Sequence, residues 1–218
     1  MQLSSHHINL EPLVDQIANH GFCVIDNFLD DAVIRTLAKE TESLKLADAM
    51  TEAGVGREHL AINKAIRGDS IYWLDEQNAT VAQQSYFKVM EEFRLSLNQH
   101  LFLGLFGLEC HLANYPAGAF YKKHLDCFAS ADAHKPQRKI SCIIYLNRHW
   151  QREDGGQLRV YLNKNDDLNE EKTIDILPSA GRAVFFLSDT FYHEVMPAAK
   201  ERLSLTGWFF TRPSPTSL

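Results

Sequence analysis

The residues His124 and Asp126 form the most informative pair in this sequence, because both side chains are common metal ligands. In a β-strand, residues two apart project to the same face, so a His-x-Asp tripeptide offers an imidazole and a carboxylate to one point in space. His193, far downstream, can supply a third ligand. Two His and one carboxylate on one face of an octahedron leave the opposite positions open, which suits non-haem Fe(II) chemistry with O₂. The chain has ten His, so the tripeptide alone is a weak indication.

A second indication comes from the last predicted strand, in which polar residues share one face with Arg202. An Arg that faces the interior of a sheet sandwich is costly unless it meets an anion, and its planar guanidinium matches a carboxylate. The alternation of strand 139–147 places Tyr145 on an inner face as well. Two such donors near a metal site predict a pocket for a dicarboxylate whose other end chelates the metal, as 2-oxoglutarate can.

Simpler interpretations of these residues exist. Arg202 could form a salt bridge with Glu201 or Glu194, and Tyr145 could be a core aromatic residue with its hydroxyl bonded to the backbone. Taken singly, each simpler interpretation is favoured. Taken together with the metal ligands, the dicarboxylate pocket is favoured.

The elements that must position these residues change character along the chain. Helical spacing of apolar residues predicts helices over 9–20, about 31–46 and about 80–101, and the run 22–26 has the composition of a strand. From Leu108 onward the period changes to two, and the candidate strands are 109–115, 119–125, 139–147, 157–162, 173–177, 182–188, 193–196 and 201–211. We expect an α+β fold with a double-stranded β-helix (jelly-roll) core that N-terminal helices buttress on one outer face.

The length and the 45% hydrophobic content suffice for one core, so we expect residues 1–218 to form a single domain. Residues 1–107 would be mainly helical support, and residues 108–212 would be the catalytic core. The helical spacing of apolar residues becomes irregular after residue 47, and this stretch ends in a glycine turn that leads into an aromatic strand. We therefore predict a substrate loop at about 60–75. The simpler interpretation pairs Arg67 with Asp69 across this turn and places Trp73 in the core.

Charge and cysteine usage exclude several function classes. A formal net charge of −6 and a pI near 5.9 provide no basic surface for a phosphate backbone, so we expect no nucleic-acid partner. No apolar stretch is long enough to cross a bilayer, and the N-terminus lacks the pattern of a secretory signal, so we expect no membrane partner. The four cysteines are scattered without Cys-x-x-Cys spacing and predict reduced thiols. Together these features predict a cytoplasmic protein.

Several segments, in order, resemble the Fe(II)- and 2-oxoglutarate-dependent prolyl hydroxylases, and specifically the branch of the animal oxygen-sensing enzymes with their bacterial relatives. The similarity runs from Ile66 to about Phe210. The segments that carry it are Ile66-Arg67-Gly68-Asp69-Ser70-Ile71-Tyr72-Trp73, Ala113-Asn114-Tyr115-Pro116, Tyr121-Lys122-Lys123-His124-Leu125-Asp126, Tyr145-Leu146-Asn147, Gly155-Gly156-Gln157-Leu158-Arg159, and His193-Glu194-Val195 with Arg202, Thr206 and Trp208. One departure is the stretch 117–120, which is shorter and less glycine-rich than in animal members.

The resemblance implies a role for each matching residue. His124, Asp126 and His193 would bind Fe(II), while Arg202 and Tyr145 would hold the distal carboxylate of 2-oxoglutarate. The other residues implied to line the co-substrate pocket are Tyr115, Ile143, Leu158, Val195, Thr206 and Trp208. The residues implied to contact substrate are Tyr121, near the metal, and Arg67, Asp69 and Trp73 in the loop that would close over a peptide.

We therefore predict a dioxygenase of the prolyl 4-hydroxylase type that acts on a prolyl loop of a protein substrate. It would use O₂ and 2-oxoglutarate, form succinate and CO₂, and take ascorbate as a candidate reductant. The same chemistry on a small molecule or free amino acid stays open, although it would leave the 60–75 loop without a peptide to bind. A zinc hydrolase also accepts two His and a carboxylate but has no use for Arg202 and Tyr145. A non-catalytic binding module would not need the complete ligand set. The sequence sets no expectation for the oligomeric state.

Overall fold

The computed structural model describes residues 8–54, 63–127, 135–162 and 172–213. Its α-helices are α1 (Glu11–His20), α2 (Asp31–Leu46) and α3 (Val81–Leu101). Its strands are β1 (Phe22–Ile25), β2 (Thr51–Glu52), β3 (Ser70–Trp73), β4 (Leu105–Tyr115), β5 (Tyr121–His124), β6 (Gln137–Tyr145), β7 (Leu158–Tyr161), β8 (Thr173–Ile176), β9 (Ala183–Leu187), β10 (His193–Val195) and β11 (Arg202–Thr211). Each helix and strand that the sequence predicts is present. Within the described residues, no helix has the length and apolar content that a membrane span requires.

The helices begin and end where side chains or backbone conformations satisfy the terminal groups. The Asp30 carboxylate accepts a hydrogen bond from the Ala32 amide at 2.7 Å and caps α2. Thr80 and Gln83 form a reciprocal capping box at the start of α3. Gly21 adopts φ 78° and ends α1, since glycine takes this left-handed conformation without strain. The chain therefore turns from α1 directly into β1.

The strands form two antiparallel sheets. The larger has seven strands in the order β1-β9-β6-β11-β4-β3-β2, and the smaller has four in the order β5-β10-β7-β8. The two sheets pack together through one hydrophobic cluster, in which Tyr145 and Phe186 of the larger sheet meet Leu158 and Val195 of the smaller one. Two facing antiparallel sheets with this order form the expected jelly roll.

The helices cover the outer face of the larger sheet. A second hydrophobic cluster joins the helices to the larger sheet, and within it the ring centres of Phe93 and Phe185 lie 4.5 Å apart. The alternation predicted for β11 is confirmed, because Leu203, Leu205 and Phe209 belong to this outer cluster. The opposite face of β11 therefore points between the sheets.

The N-terminal part also contributes strands to the larger sheet. β1 pairs with β9, and β3 pairs with β4, which begins at Leu105, slightly before the predicted change of period. The division into helical support and catalytic core stays a prediction. Residues 60–62 of the predicted loop lie outside the described residues. Trp73 is 48% exposed, so the interpretation of this residue as core is wrong.

Gly207 lies in β11 between β4 and β6 and leads to a prediction about packing. A Cβ added at Gly207 would lie 2.8 Å from both Cys110 Cβ and the Glu109 carbonyl oxygen. We expect Gly207→Ala to lower the free energy of unfolding by about 1 to 3 kcal/mol, because overpacking forces the strands apart. Urea denaturation measures this loss. Gly107→Ala is the control, since the three atoms nearest to its Cβ all belong to the Phe210 side chain, which can shift more easily than backbone; equal losses in the two variants would contradict the argument.

Candidate active site

His124, Asp126 and His193 lie together at the smaller sheet. The pairing of β10 with β5 puts His193 opposite His124, and Asp126 follows two residues after the end of β5. One ligand atom from each of the three residues lies within 4.8 Å of the others. The two carboxylate oxygens of Asp126 are each 3.6 Å from an imidazole, Oδ1 from His124 Nε2 and Oδ2 from His193 Nε2. The structure therefore brings together the three ligands that the sequence predicts.

The backbone orients both imidazoles. Nδ1 of His124 is 2.7 Å from the Lys122 carbonyl oxygen, and Nδ1 of His193 is 3.1 Å from that of Phe191. Because a carbonyl can only accept, each Nδ1 carries the proton and donates it. The Nε2 atoms are then unprotonated and face Asp126, which is the tautomer that a metal ion requires.

The charge states of these groups also suit a metal. Burial raises the pKa of Asp126, but His193, His124 and Ser141 outweigh that effect and hold it well below its usual range. Burial lowers the pKa of His193 to about 4, against the opposing effect of Asp126. At neutral pH the cluster therefore offers an ionised carboxylate and a neutral buried imidazole, the forms that bind metal.

A cavity of about 290 Å³, here called the active-site cavity, opens beside this cluster. The co-substrate residues that line it, all of them predicted, are Tyr115, Ile143, Leu158, Val195, Arg202, Thr206 and Trp208. Tyr145 is fully buried behind the lining, with its ring 5.0 Å from the guanidinium carbon of Arg202. The inner faces of β4, β6 and β11 supply most of this wall.

Arg202 lacks the salt bridge that the simpler interpretation requires. It is 1% exposed, its Nε donates to the Gly156 carbonyl at 3.0 Å, and its Nη2 has no partner among the described residues. Glu201 pairs with Lys45, and Glu194 accepts from the Tyr161 hydroxyl at 2.7 Å. The salt-bridge interpretation of Arg202 is therefore wrong.

Other polar groups beside Arg202 also lack partners. The hydroxyls of Tyr145 and Ser204 are buried without a hydrogen bond among the described residues. Burial raises the pKa of Tyr145 to about 12 although Arg202 lowers it, so the hydroxyl keeps its proton and can donate. A guanidinium and two hydroxyls without partners match the carboxylate of a ligand, since buried polar groups are rarely left unpaired.

The predicted substrate residues are arranged around the cavity mouth. Arg67, Trp73 and Tyr121 line the cavity, and the Arg67 guanidinium lies 4.3 Å from the centre of the Tyr121 ring. Tyr121 stacks on His124 with ring centres 3.6 Å apart. Asp69 is not part of the lining; it is buried and binds Arg67 Nε at 2.7 Å and Nη2 at 2.5 Å. Asp69 therefore acts on the mouth through Arg67, as the simpler interpretation of their pairing expects.

Sequence reasoning missed several residues that line the cavity, among them His111. His111 is buried between the rings of Trp73 and Trp208, at 5.0 and 5.5 Å, and burial lowers its pKa to about 4. The alternation of β4 could have revealed His111, since it lies four residues before Tyr115 on the same face. Arg138 lies 3.6 Å from the Trp208 ring and binds Glu109 at 2.7 Å. No local pattern indicates that arrangement.

Residues 110–210 match the family model described as 2OG-Fe(II) oxygenase superfamily. The chain is 30% identical over 224 residues to prolyl hydroxylase EGLN3 of Homo sapiens. The alignment covers 96% of this chain and 87% of that protein. This chain belongs to the prolyl hydroxylase family of Fe(II)- and 2-oxoglutarate-dependent oxygenases. The resemblance inferred from the sequence is confirmed.

Solved structures of prolyl hydroxylases share the fold. A Pseudomonas putida prolyl-4-hydroxylase has a TM-score of 0.81 and 42% identity, covering 94% of this chain and 100% of that one. A Trichoplax adhaerens prolyl hydroxylase, in complex with a hypoxia inducible factor oxygen degradation domain peptide, has a TM-score of 0.77 and 26% identity, covering 92% of this chain and 88% of that one. Both findings confirm the jelly roll.

The residues present fit the cofactors of this family. The cluster of His124, Asp126 and His193 suits Fe(II), and the unpaired donors around Arg202 suit the distal carboxylate of 2-oxoglutarate. O₂ is the co-substrate of these enzymes, and ascorbate stays a prediction. The zinc hydrolase is disfavoured by the family and by the position of Arg202.

The buried pair of Arg67 and Asp69 leads to a stability prediction. Their side chains are 12% and 0% exposed, so Asp69→Ala would leave a mostly buried guanidinium without its anion. We expect a loss of about 3 to 5 kcal/mol in the free energy of unfolding, measured by urea denaturation. The control is Asp175→Ala, which breaks the more exposed pair with Arg159 and should cost at most about 1 kcal/mol. Similar losses in the two variants would contradict the structural role of Asp69.

The isolated charge of Arg202 leads to a prediction about the co-substrate. Arg202→Lys keeps the charge but loses the planar pair of donors, so 2-oxoglutarate should bind more weakly by about 1 to 3 kcal/mol. Titration of the metal-loaded protein with 2-oxoglutarate measures this change. Tyr145→Phe should weaken binding less, because it removes one neutral donor. An unchanged affinity in Arg202→Lys would assign Arg202 to the fold alone.

Proposed function

We propose that this prolyl hydroxylase hydroxylates a prolyl residue of a protein substrate, with O₂ and 2-oxoglutarate as co-substrates and succinate and CO₂ as co-products. The observation that carries the proposal is the combination, in one cavity, of the three metal ligands with a buried Arg202 that meets no anion among the described residues. The names of the relatives support prolyl hydroxylation, and the Trichoplax adhaerens complex contains a peptide. The activity is of the 4-hydroxylase type, as in the Pseudomonas putida relative.

Each group of residues has a defined task in this reaction. His124, Asp126 and His193 would hold Fe(II), with two imidazole groups and a carboxylate as the ligands. Arg202, with Tyr145 behind it, receives the distal carboxylate of 2-oxoglutarate. Bound Fe(II) and 2-oxoglutarate supply the oxidising chemistry, as cofactors do in such enzymes. The apolar side chains of Ile143, Leu158 and Val195 line the space between and limit the access of water.

The mouth of the cavity suits a prolyl side chain presented by a polypeptide. Trp73 lines the cavity with a flat apolar ring and is exposed enough to meet a large partner. Arg67 and Arg138 place two guanidinium groups at the same opening, where they can bind carbonyl oxygens of a peptide backbone. A free amino acid would leave most of these contacts unused, which favours the protein substrate over the small-molecule alternative.

We also propose that the protein works in the cytoplasm. The support is the state of its cysteines: Cys23, Cys110, Cys127 and Cys142 form no disulfide with one another, as is usual in a reducing compartment. The net charge of −6 supports the expectation of a partner other than nucleic acid.

The decisive experiment looks for the product directly. Protein purified without oxygen is mixed with Fe(II), 2-oxoglutarate, labelled O₂ and a proteome digest, and labelled oxygen is mapped by mass spectrometry. We expect the label on prolyl residues of one or a few peptides, with succinate formed in step. Label in a small molecule or free amino acid instead would support the alternative.

The Asp126→Ala variant tests the metal assignment in the same assay. Because Asp126 supplies one of the three ligands, we expect loss of both the labelled peptide and the succinate. A melting curve shows whether the variant is folded, since Asp126 is buried. Full turnover in Asp126→Ala would mean that the metal is held elsewhere.

A further inference from the structure

The position of Asp126 depends on contacts outside the regular strands. β5 ends at His124, so Asp126 lies outside the strand pairings of the described part of the chain. Its carboxylate is held instead by Ser141, whose hydroxyl donates to Oδ2 at 2.6 Å. A distance in this range is typical of a hydrogen bond from a hydroxyl to an ionised carboxylate. Ser141 is completely buried on β6, so water does not compete for this bond.

A second buried hydroxyl continues the chain. Ser188 Oγ is 2.9 Å from Ser141 Oγ and is also completely buried. Because Ser141 has one hydroxyl proton and donates it to Asp126, Ser188 must be the donor to Ser141. Donation to Ser141 polarises its hydroxyl and strengthens the bond that it makes to the carboxylate.

The backbone of Ser188 holds the same segment from another side. Its carbonyl accepts from the amide of Cys127, the residue after Asp126, at 3.1 Å. Its own amide donates to the Lys139 carbonyl at 3.1 Å, which ties it to β6. Ser188 therefore fixes the backbone next to Asp126 directly and the carboxylate through Ser141.

We propose that Ser141 and Ser188 are positioning residues that keep Asp126 a one-oxygen metal ligand. With Oδ2 engaged by Ser141, Oδ1 is the oxygen left for the metal. An octahedral metal with two His and one carboxylate oxygen keeps three positions, which 2-oxoglutarate, as a two-oxygen chelator, and O₂ together need. A carboxylate that bound through both oxygens would take one of those positions. The inference rests on the metal site of the proposed function.

Cobalt(II) tests this without turnover, because its visible absorption reports the number and arrangement of its ligands. The variants are Ser141→Ala, which frees Oδ2, and Ser188→Ala, which leaves the bond from Ser141 to Asp126 but removes its support. Ser141→Thr keeps the hydroxyl. Thr41→Val is the matched control: Thr41 is equally buried, and its hydroxyl donates to the Leu37 carbonyl at 2.8 Å, far from the site in α2.

We expect Ser141→Ala to change the Co(II) spectrum and to weaken Co(II) binding by about 10- to 100-fold, the usual effect of removing a partner of a metal ligand. It should also weaken binding of 2-oxoglutarate to the Co(II) protein although Arg202 is intact, because the freed oxygen competes for a coordination position. Ser188→Ala should also weaken the binding of Co(II) and of 2-oxoglutarate, but by less than Ser141→Ala does. Ser141→Thr and Thr41→Val should keep the wild-type spectrum.

Wild-type spectra and affinities in folded Ser141→Ala and Ser188→Ala would overturn the proposal. An equal change in Thr41→Val would also overturn it, because the effect would then follow from lost stability. If Ser141→Ala does not fold, Ser188→Ala decides alone, since it leaves the carboxylate with its donor. No protein substrate enters these measurements, so failure to find a prolyl product would leave this result unaffected, and the reverse also holds.

Discussion

A buried positive charge without an anion is the constraint on which the rest of this structure depends. The guanidinium of Arg202 is almost fully enclosed, and within the described chain its partners are one carbonyl oxygen and the rings of Tyr115 and Tyr145, each at 5.0 Å. An isolated buried charge costs several kcal/mol even after relaxation. The ring faces reduce this cost, and a dicarboxylate removes it by supplying the missing acceptors. Affinity for 2-oxoglutarate thus follows from the lack of an anionic partner for Arg202 within the described chain.

The fold can accommodate the buried charge of Arg202 because the two faces of β11 lie in different environments. The outer face of β11 packs Leu205 and Phe209 into the cluster under the helices, while its inner face carries Arg202 and Ser204 into the cavity. Burial of the outer face supplies stability that the inner face lacks. The helices therefore act on catalysis indirectly, by holding the strands that carry polar groups in fixed positions. Those strands set the ligand geometry on which oxidation depends.

Local patterns were sufficient for much of the site. Arg202 and Thr206 could be placed on one inner face because strand alternation relates residues two apart in sequence to one face of a sheet. The resemblance to the prolyl hydroxylases indicated His193 as the third ligand. The rule of strand alternation fails where the chain leaves the ladder. Asp126 lies past the end of β5, and its position depends on hydroxyls that sequence reasoning gave no role. Asp69 shows a different limit of prediction from sequence, since an aspartate at this position could either contact the substrate or bind Arg67.

The sequence by itself determined the order of helices and strands and the inner and outer faces of β11, and it predicted the three metal ligands and Arg202 as the anion-binding residue. These depend on short-range periodicity and on the chemistry of residue types, which any stretch of chain displays locally. Only the tertiary structure decided that Ser188 supports Ser141 across 47 residues and that Arg138 lies against Trp208. Such contacts depend on strand register and on side-chain packing between neighbouring strands. Neither the strand register nor the packing can be inferred from the sequence alone, because many registers are compatible with the same alternation of polar and apolar residues.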